Sequence, residues 1–552
     1  MTKKIRYSEI VPSIKDWPIY KIYKNRHNFI DEISRETYKG ILENMGGKTL
    51  KDVIETTIYK EKSRVKNMPW RVDPKGEADY WRNTHSRLIR SESLETPLNE
   101  QKNILNDIVH RYAEEITGNF KISYYLFAKF FVTFGFARLL NAARVKGLLS
   151  LFSRQLDLDD KINIVGEIEH IRSLTQKGTV VMVPTHFSNL DSILIAWVIQ
   201  FIGLPAFIYG AGLNLYNIGI ISFFISKLGA YKLDRRKKNP IYLETLKIYS
   251  IRSLWHGCHT LFFPGGARSR SGEVEKTLKL GLLNSIIESQ RQFYQKPESE
   301  NRKIFIVPTV INYQFTLEAP ALIREHLKKT GRERFYEEFD EFSNSYKIAS
   351  FMLKFITKGS NVSVSIGRGM DILGNYVDMK GNSLDQNGNI LDVKDYFRSN
   401  DEIVFDKQRE NAYIRILSKR IIEEYHTYSQ LMPSHLIAYT AFKMLEKKNK
   451  DMDLYHLLRI SDEDMILDPL EFENKFENLR SKVLELNECG KVGVNELLKG
   501  NKKEAIADGF YNIGLYHAKR PIVKKNNKVI VQDMNTLYYY HNRMNGFGLE
   551  DF

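Results

Sequence analysis

The chain has 552 residues, well past the ~250–300 at which a single hydrophobic core stops growing, so two or three lobes are expected. A content of 43% hydrophobic and 12% aromatic residues against 27% charged excludes a disordered chain. Lys and Arg outnumber Asp and Glu by 82 to 67, and the net charge of +15 favours anionic partners; the two cysteines, Cys258 and Cys489, lie far apart without CxxC spacing, which excludes a disulfide framework or zinc-ligand set.

Residues 1–160 read as a mostly helical N-terminal region. Its start, MTKKIRYSEI, is basic but lacks an apolar h-region, so no signal peptide is expected. Between 120 and 154, Lys121, Lys129, Arg138, Arg144, Lys146 and Arg154 stand among Phe, Leu and Tyr with no acidic residue. Such a segment suits an anionic membrane surface, with apolar side chains at the acyl boundary and cations on the headgroups. An ordinary amphipathic core helix fits the same pattern.

Residues 161–400 read as α/β. Gly178 to Pro184, Thr260 to Pro264 and Ile304 to Pro308 are short apolar runs closed by proline, and Asn361 to Gly367 is a fourth strand candidate. Helical patterns at Leu243–Trp255 and Leu278–Phe293 lie between them, so a largely parallel central sheet wrapped by helices is expected. No charged side chain occurs between Asp191 and Lys227, but Gly203-Leu204-Pro205 and Gly210-Ala211-Gly212 interrupt the stretch. It reads as a helix over Ser192–Ile202, a strand over Pro205–Tyr209 and a helix over Leu215–Lys227, with a membrane span as the alternative. Asn-Gly turn chemistry marks Met379–Asp392 as short paired strands, and the Asp385–Gly388 pattern lacks the full spacing of a calcium loop. No internal repeat of fixed period is evident. Residues 401–552 read as a helical C-terminal region, with helix-like periodicity over Lys407–Lys447 and Asp468–Leu486.

The chemistry concentrates at strand ends. The first run leads into Thr185-His186-Phe187-Ser188-Asn189-Leu190-Asp191, a His and an Asp five apart at a strand-to-helix junction. A carboxylate beside an imidazole fixes its tautomer and leaves the other ring nitrogen to accept a proton from a hydroxyl. By itself the spacing fits a helix cap equally well. Phe263-Pro264-Gly265-Gly266-Ala267-Arg268-Ser269-Arg270-Ser271-Gly272 adds a small-residue turn with two arginines, which suits an oxyanion or phosphate. Gly229 to Arg236 supplies further cations after a glycine turn.

As an ordered set these blocks resemble the motifs of the glycerolipid acyltransferase family. Residues 185–191 resemble its His-x4-Asp block, Gly229 to Arg235 its Gly-x-x-Phe-x-(Asp/Arg)-Arg block, Phe263 to Gly272 its Phe-Pro-Glu-Gly-Thr-Arg-Ser-Arg-Ser-Gly block, and Ile306 to Ile311 its Val-Pro block. Ile311 to Gln314, Gly369 to Asp378, Met432 to Ala438 and Leu537 to Met544 look like the longer glycerol-3-phosphate and dihydroxyacetone-phosphate branch. Gly265 departs from the Glu of the third block, and Lys232 stands where the second block carries an aromatic.

The resemblance implies a glycerol-3-phosphate O-acyltransferase that moves a fatty acyl group from acyl-CoA or acyl carrier protein to the sn-1 hydroxyl, the first step of phospholipid synthesis. It implies His186 as general base and Asp191 as its orienting partner. Arg235, Gly266, Arg268, Ser269, Arg270 and Lys279 would hold the phosphate and the acceptor, and Val307 and Pro308 would line the acyl pocket. No metal or cofactor is implied beyond the thioester substrate. The expected place is the cytoplasmic face of the cell membrane. A lysophosphatidate or dihydroxyacetone-phosphate acyltransferase shares the chemistry, and a catalytically impaired membrane-associated homologue is the alternative from another class. A nucleic-acid partner is not expected, because zinc-finger, ribonucleoprotein and basic-region patterns are missing.

Overall fold

The computed structural model describes residues 7–70, 72–130, 162–213, 225, 227–330, 362–515 and 517–550. Most of the basic segment 120–154 and nearly all of the helix expected over Leu215–Lys227 lie outside these residues.

The middle of the chain forms a seven-stranded sheet. Its strands are β1 (Ile162–Gly166), β2 (Thr179–Pro184), β3 (Ile208–Gly212), β4 (Ala230–Leu233), β5 (Thr260–Leu261), β6 (Ile304–Tyr313) and β7 (Val362–Ile366), in the order β1-β7-β6-β2-β5-β3-β4. From β6 to β4 the strands run parallel, whereas β7 pairs antiparallel with β6 and carries β1 parallel to itself. The run at 361–367 is thus a strand, but it points away from the edge on which the other strand ends converge.

The β-branched run of β2 is buried at every position because helices cover both faces of the sheet. Val180 and Met182 face a core shared with the helices Ile168–Lys177 and Asp191–Phe201, while Val181 and Val183 face one shared with Leu280–Tyr294 and Lys407–Tyr428. Each such side chain contributes about 1.5–3 kcal/mol by leaving water, so a charge at Val181 would break the sheet at its centre.

The N-terminal region is helical, from Pro18–Lys24 to Ile122–Phe130, and its core continues into Ile208 of β3, Tyr231 of β4 and the helix Pro240–Trp255. Below it, a buried ion network joins Arg64 to Glu61 and Glu77. The C-terminal region has its own core, which also takes in Phe315, Ala319, Leu322 and Ile323. It contains short strands as well as helices: Gln430–Leu431 pairs with Gly493–Val494, and Ile466–Leu467, Ile522–Lys525 and Lys528–Val531 form a three-stranded sheet. The periodic stretch from Lys407 is two helices, Lys407–Tyr428 and Pro433–Lys448, because Pro433 can begin a helix but not continue one. Among the described residues no helix is long and apolar enough to cross a membrane.

A short repeat does exist. Asp371, Asp378 and Asp385 each accept, through Oδ1, the backbone N–H groups two and four residues on, at 2.8–3.0 Å. In each case the Asn at the fourth position, Asn375, Asn382 or Asn389, donates its side-chain amide back to Oδ2 at 3.0–3.1 Å. Gly374, Gly381 and Gly388 adopt the positive φ that each turn requires. The unit Asp-x-x-Gly-Asn therefore recurs every seven residues as a stair of identical turns. Its carboxylates are occupied by their own backbone, which removes the calcium-loop reading of Asp385 and Gly388.

Candidate active site

Strand β2 ends at Pro184, and the turn that follows places His186 and Asp191 against each other. Nδ1 of His186 lies 2.8 Å from Oδ2 of Asp191. The same oxygen accepts the backbone N–H groups of Phe187 at 2.6 Å and Ser188 at 2.9 Å. Oδ1 accepts the phenol of Tyr313, at the end of β6, at 2.6 Å. Asp191 is fully buried and begins the helix Asp191–Phe201, where the helix dipole favours a negative charge. Because a carboxylate can only accept, it holds the imidazole proton on Nδ1 and leaves Nε2 as the basic nitrogen. Nε2 has no hydrogen-bond partner among the described residues, and the His186 side chain is 14% exposed. Phe263 stacks on the ring at 4.2 Å.

The turn after β5 closes over this pair. Ser269 donates its backbone N–H to the carbonyl of His186 at 2.7 Å, and Glu275 accepts the backbone N–H of His186 through Oε1 at 2.9 Å. Glu318 ties the two turns together: it accepts from Ser188 Oγ and from the Asn189 N–H at 2.9 Å, and it pairs loosely with Arg268 at 3.5 Å. The imidazole at 186 and the guanidinium at 268 thus belong to one assembly.

Three arginines form the cationic side of the site. Among the described residues Arg268 meets a single carboxylate, the distant oxygen of Glu318 at 3.5 Å, and Arg270 pairs with Glu325 at 2.7 Å. Arg235 has no carboxylate partner among the described residues. It reaches solvent, yet its guanidinium is crowded by protein, and that desolvation, followed by the repulsion of Arg268 and Arg270, pushes its pKa below the usual arginine value. Arg235, repelled by two neighbouring cations and without a carboxylate of its own among the described residues, is poised for an anion. Arg235 is set by its neighbours: Asp234 and Arg236 pair with each other, Arg236 pairs with Asp73, and Lys237 with Glu115, which ties the loop to the N-terminal region.

The remaining expected residues have other places. Gly266 adopts φ +77°, and a Cβ there would press on Lys279 Cγ at 2.8 Å, so Lys279 lies along the turn. Ser269 spends its hydroxyl on the carbonyl of Glu273 and the N–H of Gly272, which makes it a shaper of the turn. Val307 and Pro308 are wholly buried inside β6, where Val307 packs in the core beneath the sheet and the Pro308 carbonyl accepts the N–H of Gly367. They support the strand that delivers Tyr313.

Tyr313, Glu318, Glu275 and Arg543 escaped the sequence reading as site residues. The side chain of Arg543, from the C-terminal region, is buried 3.5 Å over the ring of Phe187 and donates to Thr316 Oγ1 at 3.1 Å. Asn542 and Asn545 beside it hold Ser271 and Glu273 of the arginine-bearing turn, at 3.0 and 2.9 Å. Nε2 of His435 donates to the Tyr313 carbonyl at 3.0 Å while its Nδ1 accepts the Met432 N–H, and burial pushes its pKa down to about 3, so it is neutral. Only the motif-like stretches 311–314, 432–438 and 537–544 hinted at these partners.

Residues 165–312 match the family model described as Acyltransferase. Curated relatives named glycerol-3-phosphate acyltransferase include one from Pseudoalteromonas atlantica, 29% identical over 204 residues that cover 36% of this chain and 24% of the relative. One from Shewanella putrefaciens is 23% identical over 287 residues, 50% of this chain and 32% of the relative, and one from Pseudomonas aeruginosa is 26% identical over 252 residues, 44% and 27%. The matched part of the chain thus spans only 24–32% of the length of these relatives. The mostly parallel sheet and the matched segment define an acyltransferase domain. Over residues 165–312 the chain carries an acyltransferase domain similar to that of the curated glycerol-3-phosphate acyltransferases.

Proposed function

We propose that the protein acylates a hydroxyl of glycerol 3-phosphate, at the sn-1 position, with a fatty acyl group from acyl-CoA or acyl carrier protein, at the cytoplasmic face of a membrane. The observation that carries this reading is the open Nε2 of His186, backed at Nδ1 by Asp191, in one assembly with arginines that lack full counter-charge.

In this reading the phosphate is held by Arg235 and Arg268, with Arg270 at the margin. That places the acceptor hydroxyl at Nε2. The hydroxyl proton passes to Nε2 as its oxygen attacks the thioester carbonyl, and Asp191 stabilises the imidazolium that forms. Collapse of the tetrahedral intermediate breaks the C–S bond, and the leaving thiolate takes the proton back from Nε2. Both products are then neutralised without a covalent enzyme intermediate. Base help of this kind contributes ~10²–10⁴-fold, and fixing the phosphate adds orientation.

Supporting the acceptor choice are the names of the relatives and the resemblance to the longer branch. The test is thiol release by purified protein with palmitoyl-CoA and, in turn, glycerol 3-phosphate, dihydroxyacetone phosphate and lysophosphatidate. Fastest release with glycerol 3-phosphate is expected. A preference for either other acceptor would reassign the substrate, and release no faster than a heat-killed control with all three would leave a non-catalytic membrane-associated role.

A further inference from the structure

The turn that carries Arg268 has a glycine at 265 where the block it resembles has a carboxylate. The structure shows what fills that space. A Cβ built on Gly265 would stand 2.9 Å from Cγ and 3.1 Å from Oε1 of Glu275, so no side chain fits at 265 while Glu275 keeps its place. Gly265 does not have a positive φ, so its backbone does not demand glycine. It is the neighbour that demands it. Glu275 turns its carboxyl inward from the far end of the same turn, where Oε1 accepts the His186 N–H at 2.9 Å and Oε2 is buried without a hydrogen-bond partner among the described residues. An acid placed there against its own solvation needs a compensating role.

We infer that Glu275 is the positioning residue of His186, its carboxyl reaching from position 275 into the space that a side chain at 265 would otherwise occupy. Through the backbone N–H it fixes the peptide from which the imidazole projects, on the side opposite the Ser269 N–H that holds the His186 carbonyl. His186 is thereby gripped at N–H, C=O and Nδ1, and only Nε2 remains for the acceptor. Burial, with Asp191 nearby, pushes the Glu275 pKa up to about 7, against the backbone N–H groups and Arg543, which lower it. What the grip needs is therefore an oxygen that accepts, and a full charge is not required.

This inference rests on the proposed acyl transfer for its kinetic readout but also has one that needs no turnover. The variants are Glu275→Ala, Glu275→Gln, Gly265→Glu and the relocation Gly265→Glu/Glu275→Ala. Thiol release with glycerol 3-phosphate should show kcat at least 30-fold lower for Glu275→Ala with KM within threefold of wild type, Glu275→Gln within fivefold of wild type, and the relocation at least tenfold above Glu275→Ala. In parallel, carbethoxylation of His186 by diethyl pyrocarbonate, followed by peptide mass spectrometry, should run several times faster in Glu275→Ala and at the wild-type rate in Glu275→Gln. An unchanged His186 modification rate in Glu275→Ala at wild-type melting temperature overturns the inference, whether or not the protein turns over. So does a Glu275→Gln as impaired as Glu275→Ala, because the amide keeps the accepting oxygen. If Glu275→Ala fails to fold, Glu275→Gln and the relocation decide alone: impairment of both in a folded protein sinks the inference, and near-wild-type His186 modification in both supports it. Absence of turnover in the wild type counts against acyl transfer only and leaves the modification experiment in force.

Discussion

The phenol of Tyr313 donates to Oδ1 of Asp191 at 2.6 Å, while His186 holds Oδ2 at 2.8 Å. The aspartate is thus pinned from both sides, by residues that stand 122 positions apart at Tyr313 and five apart at His186. Tyr313→Phe removes one arm and leaves a buried carboxylate oxygen short of a donor. The expected cost is about 1.5–3 kcal/mol of stability, with kcat reduced and KM little changed. Chemical denaturation and steady-state kinetics on one preparation would check both; full activity would mean that Asp191 does not need the phenol.

His186→Ala removes a ring that is partly exposed and stacked on Phe263, so the fold should tolerate it. Loss of turnover by at least ~10²-fold is expected, with a melting temperature close to wild type. Asp191→Asn, which presents an amide to Nδ1 and favours the wrong tautomer, should be similarly slow. Substantial turnover in His186→Ala would remove the imidazole from its role.

The arginines are not equivalent. Arg235, which lacks a carboxylate partner, should govern the affinity for a phosphorylated acceptor, whereas Arg270 is already engaged by Glu325. Arg235→Ala is expected to raise KM by roughly 10–100-fold, the equivalent of one charge-assisted hydrogen bond, and Arg270→Ala by less. The gap should narrow at high salt. Equal effects would mean that Arg235 is not the principal anchor.

Glu275 makes stability depend on pH in a definite direction. Its folded-state pKa, about 7, lies above the ordinary 4.5, because burial and Asp191 outweigh Arg543 and the backbone N–H groups. A raised carboxyl binds its proton more tightly when folded, so its contribution is complete below about pH 4.5 and is lost as pH rises through about 7. Wild type should lose about 3 kcal/mol relative to Glu275→Gln across that window. Melting curves of the two proteins at matched pH would show the gap move in favour of the glutamine variant; parallel curves would mean that the carboxyl stays ionised.

Arg543→Met removes the buried cation that offsets the raised pKa of the acids Glu275, Tyr313 and Tyr539, and strips the face of Phe187. A loss of about 3–5 kcal/mol is expected, as for other broken buried charge arrangements. Wild-type stability in this variant would show that Arg543 does not offset those acids.

What could be read from the sequence was local. His186 and Asp191 sit on one turn, and the small-residue turn with Arg268 follows its own strand, so the ordered blocks and the family they resemble carried them. The apolar runs marked the strands, but not the reversed direction of β7, which pairing decides. Tyr313, Glu318 and Arg543 reach the same two turns from far along the chain, and no local pattern ties a tyrosine at 313 to an aspartate at 191. The seven-residue recurrence of Asp371, Asp378 and Asp385 was fully present in the sequence; its period is simply shorter than those of stacked-helix or propeller repeats. Glu275 was hidden for a different reason, since a glycine reads as a missing group until the neighbour occupying its space is seen.

The loop bearing Arg235 is moored to the N-terminal region outside the recognisable segment, through Arg236 to Asp73 and Lys237 to Glu115. A fragment trimmed to residues 165–312 would therefore keep the four principal motif blocks yet turn Lys237 and Arg236 loose as unmatched charges beside Arg235. Transplanting the motif-bearing stretch into a chimera would carry the histidine and lose the aim of the arginine. Substrate affinity in such a hybrid would be set by whichever helices are grafted in front of it.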